Sequence, residues 1–157
     1  MIPIENFIYP DDVGKFGTIR KYDVHTGIDL YCEKGSKVHA IEGGIVANII
    51  DFTGNDAGSP WWNSTKAVLI EGKSGVICYG EVEPRVMIGQ TINEGDVIAV
   101  IKEVLKKYKG RPTSMLHLEL YNNKTRDVVR WPIGTNKPQG LLDPTHLIEE
   151  NEWKLYF

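Results

Sequence analysis

The feature that most limits the fold of this chain is a series of short Val- and Ile-rich stretches, each ended by Gly, Asn or Asp. Such stretches are typical of β-strands separated by tight turns. Four of them occupy residues 38–50, 66–70, 76–79 and 97–101. Gly43-Gly44, inside the first stretch, predicts a bulge or bend there. The pattern predicts a mostly β protein, a small antiparallel sheet or sandwich in one domain spanning residues 1–157.

A fifth stretch, Leu116-His117-Leu118-Glu119-Leu120, alternates apolar and polar residues. Successive side chains of a strand point to opposite faces, so the three leucines are predicted to face a core. Met115, His117 and Glu119 then share the other face of the strand.

Helical signals are few. Residues 103–109, EVLKKYK, predict a helix of about two turns, and Asp143-Pro144 predicts the start of another short helical turn. Residues 51–64 form the most irregular segment and contain the adjacent Trp61 and Trp62. These two rings either fold back onto the body of the protein or form the wall of a ligand groove.

Charge and composition exclude several classes of function. Among 157 residues, 18 Lys and Arg stand against 21 Asp and Glu, a net charge of -3, which argues against a broad nucleic-acid surface. No apolar run approaches the roughly 20 residues of a membrane-spanning helix, so we expect no membrane partner. The first twelve residues, MIPIENFIYPDD, lack the basic and apolar regions of a secretory signal. The expected location is the cytoplasm of the producing cell or a virion, with phage lysis or virion assembly as routes outward.

Two cysteines are too few for a disulfide framework. Cys32 and Cys78 are predicted to be buried, reduced thiols, although a single disulfide between them stays open.

A candidate metal site begins with His25 and Asp29, four residues apart. Four extended residues span about 13 Å, whereas Zn–N and Zn–O bonds measure about 2.0–2.2 Å. The backbone must therefore turn between them, and Gly27 makes a turn inexpensive. With His117 they form a two-His, one-Asp set that leaves a fourth zinc position open. Composition alone does not bring His117 to the other two.

Five segments together resemble the lysostaphin/LytM-type zinc endopeptidases of bacterial cell wall, and the resemblance spans about residues 24–148. In chain order they are HTGIDL at 25–30, GSKVHAIEGGIV at 35–46, GQTINEGDVI at 89–98, LHLEL at 116–120 and LLDPTHLI at 141–148. The resemblance implies a duplicated-hybrid-motif β fold with a peptide-accommodating groove. It also implies one Zn²⁺ per chain, held by His25, Asp29 and His117.

The chain departs from that family at two positions. The family writes its last motif as His-x-His, and Met115 occupies the first His position. A second family histidine follows a central-strand Tyr, and Glu81 occupies that position. Both catalytic histidines are thus substituted while the three ligands remain. Met115 cannot move a proton, whereas a glutamate serves as general base in many metallopeptidases.

Other polar residues receive supporting roles. Glu119 is expected to orient a metal ligand from behind. Met115, His39, Trp61 and Trp62 are the candidate groove residues, and for His39 a structural or groove-lining role is preferred over that of a metal ligand.

Two functions remain. The preferred hypothesis is a catalytically degenerate, zinc-binding domain that acts as a binding or structural module. The alternative is an active zinc metalloendopeptidase, a peptidoglycan hydrolase in which Glu81 replaces the usual histidine. Both expect a peptide or peptidoglycan-like ligand, and neither predicts an oligomeric state.

Overall fold

One antiparallel sheet organises the protein. The computed structural model describes residues 2–8 and 13–154, and nine strands lie within those ranges. The strands are β1 (Ile28–Tyr31), β2 (Lys37–His39), β3 (Gly44–Thr53), β4 (Thr65–Gly72), β5 (Gly75–Pro84), β6 (Thr91–Ile92), β7 (Val97–Ile101), β8 (Met115–Tyr121) and β9 (Leu141–Leu142). A 3-10 turn covers Asn55–Ala57, and helix α1 covers Thr145–Lys154.

The strand order surrounds β8, the strand that carries His117, with other strands of the sheet. The main path runs β1-β8-β5-β4-β3-β6, with β7 paired to β2 and β5, and β9 paired to β8. Each of these pairings is antiparallel, which confirms the predicted fold class. Strand β8 therefore lies between β1 and β5, and every residue of β8 is buried.

The alternation in β8 sorts its side chains as predicted. Leu116, Leu118 and Leu120 are buried in the main apolar core. Burying each such side chain contributes roughly 1.5–3 kcal/mol. His117 and Glu119 point to the opposite face and are also almost inaccessible. The core thus holds the strand in place while its polar face is enclosed by other elements.

The predicted helix at residues 103–109 is wrong. Glu103 and Leu105 form isolated β-bridges with Ser114 and Trp62, and the Val104 amide donates to the Thr113 carbonyl oxygen at 2.8 Å. Two helical turns are marginal on their own, so these pairings decide the conformation. The other helical prediction is confirmed, because the Thr145 amide donates to Asp143 Oδ1 at 2.9 Å as α1 begins. The helix is longer than the single turn predicted.

Gly43-Gly44 marks a change of strand. The chain bends after β2 and enters β3 at Gly44, so the stretch 38–50 is two strands and not one. A Cβ at Gly44 would lie 2.3 Å from the Glu71 carbonyl oxygen. The glycine therefore allows close approach of β4.

Cys32 and Cys78 are free thiols, as predicted. Cys78 is fully buried, but the prediction that both are buried is wrong for Cys32, which is only half-buried. Burial raises the pKa of the Cys32 thiol to about 12 and that of Cys78 well above its usual range. Among the described residues, no helix has both the length and the apolar character needed to cross a membrane.

Candidate metal centre

Three side chains from two neighbouring strands converge at one point. Asp29 lies on β1 directly opposite His117 on β8. His25 precedes β1, and the chain bends at Gly27 before the strand begins. A Cβ at Gly27 would lie 2.1 Å from the Leu118 carbonyl oxygen. Glycine is therefore needed here so that the bend can approach β8.

The converging atoms have the spacing of ligands on one ion. His117 Nδ1 lies 2.9 Å from Asp29 Oδ1, and His25 Nε2 lies 3.3 Å from both atoms. A tetrahedral ion with bonds of about 2.0–2.1 Å separates its ligand atoms by about 3.3–3.4 Å. The triangle is thus close to one face of a zinc tetrahedron.

Each histidine makes a hydrogen bond through the ring nitrogen that points away from the triangle, and this bond decides which nitrogen faces the triangle. The Nδ1–H of His25 donates to the Lys15 carbonyl oxygen at 3.0 Å, and the Nε2–H of His117 donates to Glu119 Oε2 at 2.8 Å. In the neutral, metal-binding form of each ring, this donation leaves a lone pair on the nitrogen that points at the triangle. A histidine ligand orients in this way when its other nitrogen has a fixed acceptor. The residues present therefore fit a catalytic-type zinc site.

Glu119 is itself held by two further donors. Thr26 Oγ1 donates to Glu119 Oε2 at 2.6 Å, and the Tyr121 hydroxyl donates to Oε1 at 2.5 Å. The Tyr121 oxygen in turn accepts from the Val129 amide at 3.2 Å. Tyr121 shares the β8 face with His117 and Glu119, and the sequence analysis missed it although strand alternation could have found it.

Arg20 is a second residue that the sequence analysis missed. Its Nη2 donates to Asp29 Oδ2 at 2.8 Å and to the Val13 carbonyl oxygen at 2.8 Å. Asp29 therefore has one oxygen toward the triangle and one on a guanidinium. No periodicity in the sequence indicates this contact, because Arg20 lies in irregular chain.

The electrostatics of the cluster follow from burial and these partners. Burial opposes ionisation of Asp29, but His117 and His25 beside it hold the pKa of that carboxyl well below its usual range. Burial opposes protonation of His117, but Asp29 and Glu119 outweigh it and raise its pKa to about 10. The pKa of Glu119 is lowered in spite of its burial, because His117, Thr26 and Tyr121 donate to it or attract it.

Glu81 lies where β5 changes partners. Residues of β5 pair with β8 as far as Gly80, opposite His117, and with β7 from Val82 onward. Opposite β4, Val82 pairs with Lys66 and Gly80 pairs with Ala67, so Glu81 is the extra residue of a β-bulge. The φ of Glu81 is 68°, in the left-handed region. Among the described residues, Glu81 is the only non-glycine residue with a positive φ. Bulges of this kind redirect a side chain near active sites.

Glu81 is half-buried and directly follows Gly80, the β5 partner of His117. Its Oε2 is buried and has no hydrogen-bond partner among the described residues. Burial and, after it, the Asp29 charge raise its pKa to about 8, although the nearby cations of His117 and Arg20 oppose the rise. A strained backbone and an unsatisfied buried oxygen each cost free energy, of order 1–3 kcal/mol.

The four candidate groove residues lie in three places. Met115 is buried at the start of β8, paired with Tyr31. His39 is half-buried on β2, where its Nδ1–H donates to the Gly95 carbonyl oxygen at 3.0 Å. Trp61 and Trp62 are 63% and 39% exposed on the loop after β3, with ring centroids 5.8 Å apart. Of these, Met115 lies on the strand face that carries His117.

A cavity of about 920 Å³ opens at the end of the same two strands. Its lining includes Phe7, Tyr31, Cys32, Tyr108 and Ser114. Tyr31 and Ser114 lie two and three residues from Asp29 and His117 along their strands. The cavity therefore begins two to three residues along the chain from Asp29 and His117, and its volume is within the range of ligand pockets.

Comparison with known families decides the classification. The model of peptidase family M23 matches residues 23–128, more than half of the chain, and that range contains all three converging side chains. The chain belongs to peptidase family M23. Members of the M23 family are generally zinc-dependent, in agreement with the donor set described above. No curated protein matches the chain.

Solved structures show the same fold at low identity. An Enterococcus faecalis structure, the catalytic domain of the prophage-encoded M23 protein EnpA in a point-mutant form, has a TM-score of 0.55 at 18% identity, covering 90% of this chain and 91% of that one. The catalytic domain of the antimicrobial peptidase lysostaphin from Staphylococcus simulans has a TM-score of 0.55 at 16% identity, with coverages of 87% and 89%.

A longer M23 protein from Pseudomonas aeruginosa is also similar. It has a TM-score of 0.54 at 15% identity over 94% of this chain, but this chain spans only 49% of its length. At these identities the similarity establishes the lysostaphin-like fold.

Proposed function

We propose that this M23 domain binds one zinc ion through His25, Asp29 and His117 and hydrolyses peptide bonds of cell-wall type, with Glu81 as the proton-transfer residue. The observation that carries the proposal is the left-handed, bulged backbone that holds an unsatisfied Glu81 oxygen next to the ligand triangle. Strain that persists beside a reactive site points to a role there. This geometry favours the enzyme over the degenerate module that the sequence favoured.

Bound zinc would polarise a substrate carbonyl and lower the pKa of a coordinated water toward about 7. The chain's own residues supply the rest. Arg20 holds the carboxylate of Asp29 in place, and Glu119 holds the imidazole of His117 in place. Glu81 Oε2 has no hydrogen-bond partner among the described residues. As the carboxylate, Glu81 would accept a proton from the attacking water, and as the acid it would return that proton to the leaving amine.

The peptide ligand is proposed to lie along the β1–β8 end of the site. The cavity beside Tyr31 and Ser114 has a volume of about 920 Å³, which is sufficient for several residues of a peptide. Its lining mixes aromatic rings with the polar groups of Glu5, Asn6 and Glu33. Such a lining suits a short polar peptide with small side chains.

The test is hydrolysis by the zinc-loaded protein. Purified peptidoglycan and a pentaglycine peptide serve as substrates, with released amines as the measurement. Glu81→Gln is expected to lower turnover by about 10²–10⁴-fold, the usual contribution of a positioned acid or base, at unchanged zinc content. Met115→Ala is the matched control and is expected to keep most of the activity. Equal turnover by wild type and Glu81→Gln would overturn the role of Glu81.

The buried thioether of Met115 favours the second candidate, a degenerate binding module. In the lysostaphin/LytM-type endopeptidases, a histidine that transfers a proton stands at this position. Here the position holds an apolar side chain on the same face of β8 as His117. A zinc-loaded protein that binds peptidoglycan without cleaving it supports the module. Activity created by the double change Met115→His and Glu81→His would support it further.

A further inference from the structure

The loop that precedes β8 concentrates positive charge on a chain with a net charge of -3. We use the name cationic loop for residues 105–113. It carries four exposed cations, Lys106, Lys107, Lys109 and Arg111. None of the ion pairs between described residues involves these four side chains. The charges of Lys107, Lys109 and Arg111 are therefore available to a partner, whereas the ammonium group of Lys106 donates to a backbone oxygen.

The cationic loop is anchored at both of its ends. The amides of Val104 and Leu105 donate to the Thr113 carbonyl oxygen at 2.8 and 3.2 Å. Thr113 Oγ1 donates to Glu103 Oε2 at 2.9 Å, so this carboxylate has a hydrogen-bond donor at the base of the loop. These bonds close the loop at its base and fix the position from which its cations extend.

A second segment, residues 60–64, lies alongside and presents tryptophans. The Asn63 amide donates to the Val104 carbonyl oxygen at 2.9 Å, and Trp62 forms a bridge with Leu105. Lys106 Nζ donates to the Pro60 carbonyl oxygen at 2.9 Å. These contacts hold Trp61 next to the base of the cationic loop.

Aromatic rings are exposed on both segments. Trp61 is 63% exposed, and Tyr108 at the tip of the cationic loop is 77% exposed. Exposed aromatic side chains beside cations are typical of binding surfaces. Rings supply flat apolar faces, while the ammonium and guanidinium groups supply charge for phosphate or carboxylate groups.

This surface adjoins the metal centre. Ser114 follows the cationic loop directly and lies three residues before His117. On the other side, Phe52 precedes the tryptophan segment and its ring lies 5.3 Å from the ring of His117. The cationic loop thus leads directly into the strand that carries His117, and the tryptophan segment follows the strand whose Phe52 contacts His117.

We propose that the cationic loop and Trp61 bind an anionic polymer of the cell wall, a phosphate- or carboxylate-bearing glycan linked to the strand that carries the substrate peptide. This inference rests on the proposed function, because the peptide chemistry of the metal centre identifies the polymer. A nucleic acid fits the observations less well, since the basic patch is one short loop and the rest of the chain carries more Asp and Glu than Lys and Arg. Binding on the loop raises the local concentration of peptide at the metal centre.

The experiment is cosedimentation with purified cell-wall sacculi over a range of NaCl concentrations. Sacculi that retain their anionic polymers are compared with acid-extracted sacculi. The double variant Lys107→Glu, Lys109→Glu leaves Lys106 and its bond to Pro60 intact. It is expected to weaken binding at least about tenfold at low salt and to reduce the salt dependence of binding. Trp61→Ala is expected to weaken binding with the salt dependence unchanged.

The matched control is Lys124→Glu, Lys137→Glu, which makes the same charge change at exposed lysines of other segments. Thermal unfolding verifies that each variant is folded. Equal binding by the loop variant and the control would overturn the proposal, as would equal binding to intact and extracted sacculi. Tighter binding to single-stranded DNA than to sacculi would also overturn it.

The assay also separates this inference from the proposed function. It is run on the chelator-treated protein and on the zinc-loaded protein. Loop-dependent binding in both forms supports the glycan surface even if no hydrolysis is found. Hydrolysis of a free pentaglycine peptide without loop-dependent binding to sacculi supports only the metal centre.

Discussion

The Nε2 of His117 lies 2.8 Å from Oε2 of Glu119, two residues further along the same strand. This contact leaves Nδ1 of His117 as the nitrogen that faces Asp29 and His25. A local feature of one strand, the side-chain period of two, thereby orients a ligand of a site assembled from distant residues.

Glu119→Gln is expected to lower zinc affinity by about 10–100-fold, the usual effect of removing an outer carboxylate. The amide keeps the shape of the side chain but removes the charge that favours His117 as a strong ligand. Competition with a chromophoric chelator measures the affinity. Glu71→Gln, an exposed change on β4, is the control and should leave the affinity unaltered. If both variants bind zinc as wild type does, Glu119 does not orient His117.

Gly27→Ala is expected to impair both stability and metal binding. The added Cβ would lie 2.1 Å from the Leu118 carbonyl oxygen, so the bend must move away from β8 and carry His25 with it. Gly89→Ala separates the two effects, because Gly89 has a φ of 88° and open space around it. That control should cost about 1 kcal/mol of unfolding free energy without changing zinc affinity. Zinc titration and urea unfolding provide the two measurements.

Stability of the chelator-treated protein is expected to fall as pH rises from about 4.5 to about 10. Glu81 and His117 both have folded-state pKa values above their ordinary ones, about 8 and about 10. Each group therefore stabilises the fold below its ordinary pKa, and that contribution is lost as pH rises through its folded-state pKa. Below about pH 4.5, protonation of Asp29 and Glu119, whose pKa values are lowered, destabilises the fold. Urea unfolding across this range tests the sign.

A variant isolates one part of that pH profile. In Glu81→Gln the loss of stability between about pH 4.5 and 8 should shrink, because its titrating carboxyl is gone. A profile identical to that of wild type would show that Glu81 titrates normally.

Both thiols are expected to resist alkylation in the native protein. With a pKa of about 12, Cys32 is about a thousandfold poorer in thiolate at pH 8 than an ordinary cysteine. Cys78 is fully buried and its pKa is also raised. Iodoacetamide followed by mass spectrometry should find little labelling in native buffer and two labels in denaturant. Rapid labelling of Cys32 in native buffer would contradict the pKa.

The strands could be predicted because their patterns are local. Leu116, Leu118 and Leu120 alternate with polar residues, and that period applies in any strand. The helix at 103–109 was wrong for the opposite reason, since the conformation there is decided by Thr113 and Asn63, which lie outside the segment. Local propensity predicts such a segment poorly when its hydrogen bonds are made to residues elsewhere in the chain.

The residue types of the site can be read from the chain alone: two imidazoles and a carboxylate with the donors that zinc prefers, and a strand that turns His117 and Glu119 to one face. The pairing of β1 with β8, in a register that places Asp29 opposite His117, is a property of the folded molecule. So are the passage of β5 from β8 to β7 at Glu81 and the bulge there. Strand pairing over about 90 residues depends on how every apolar face is buried at once, and no local pattern carries that information.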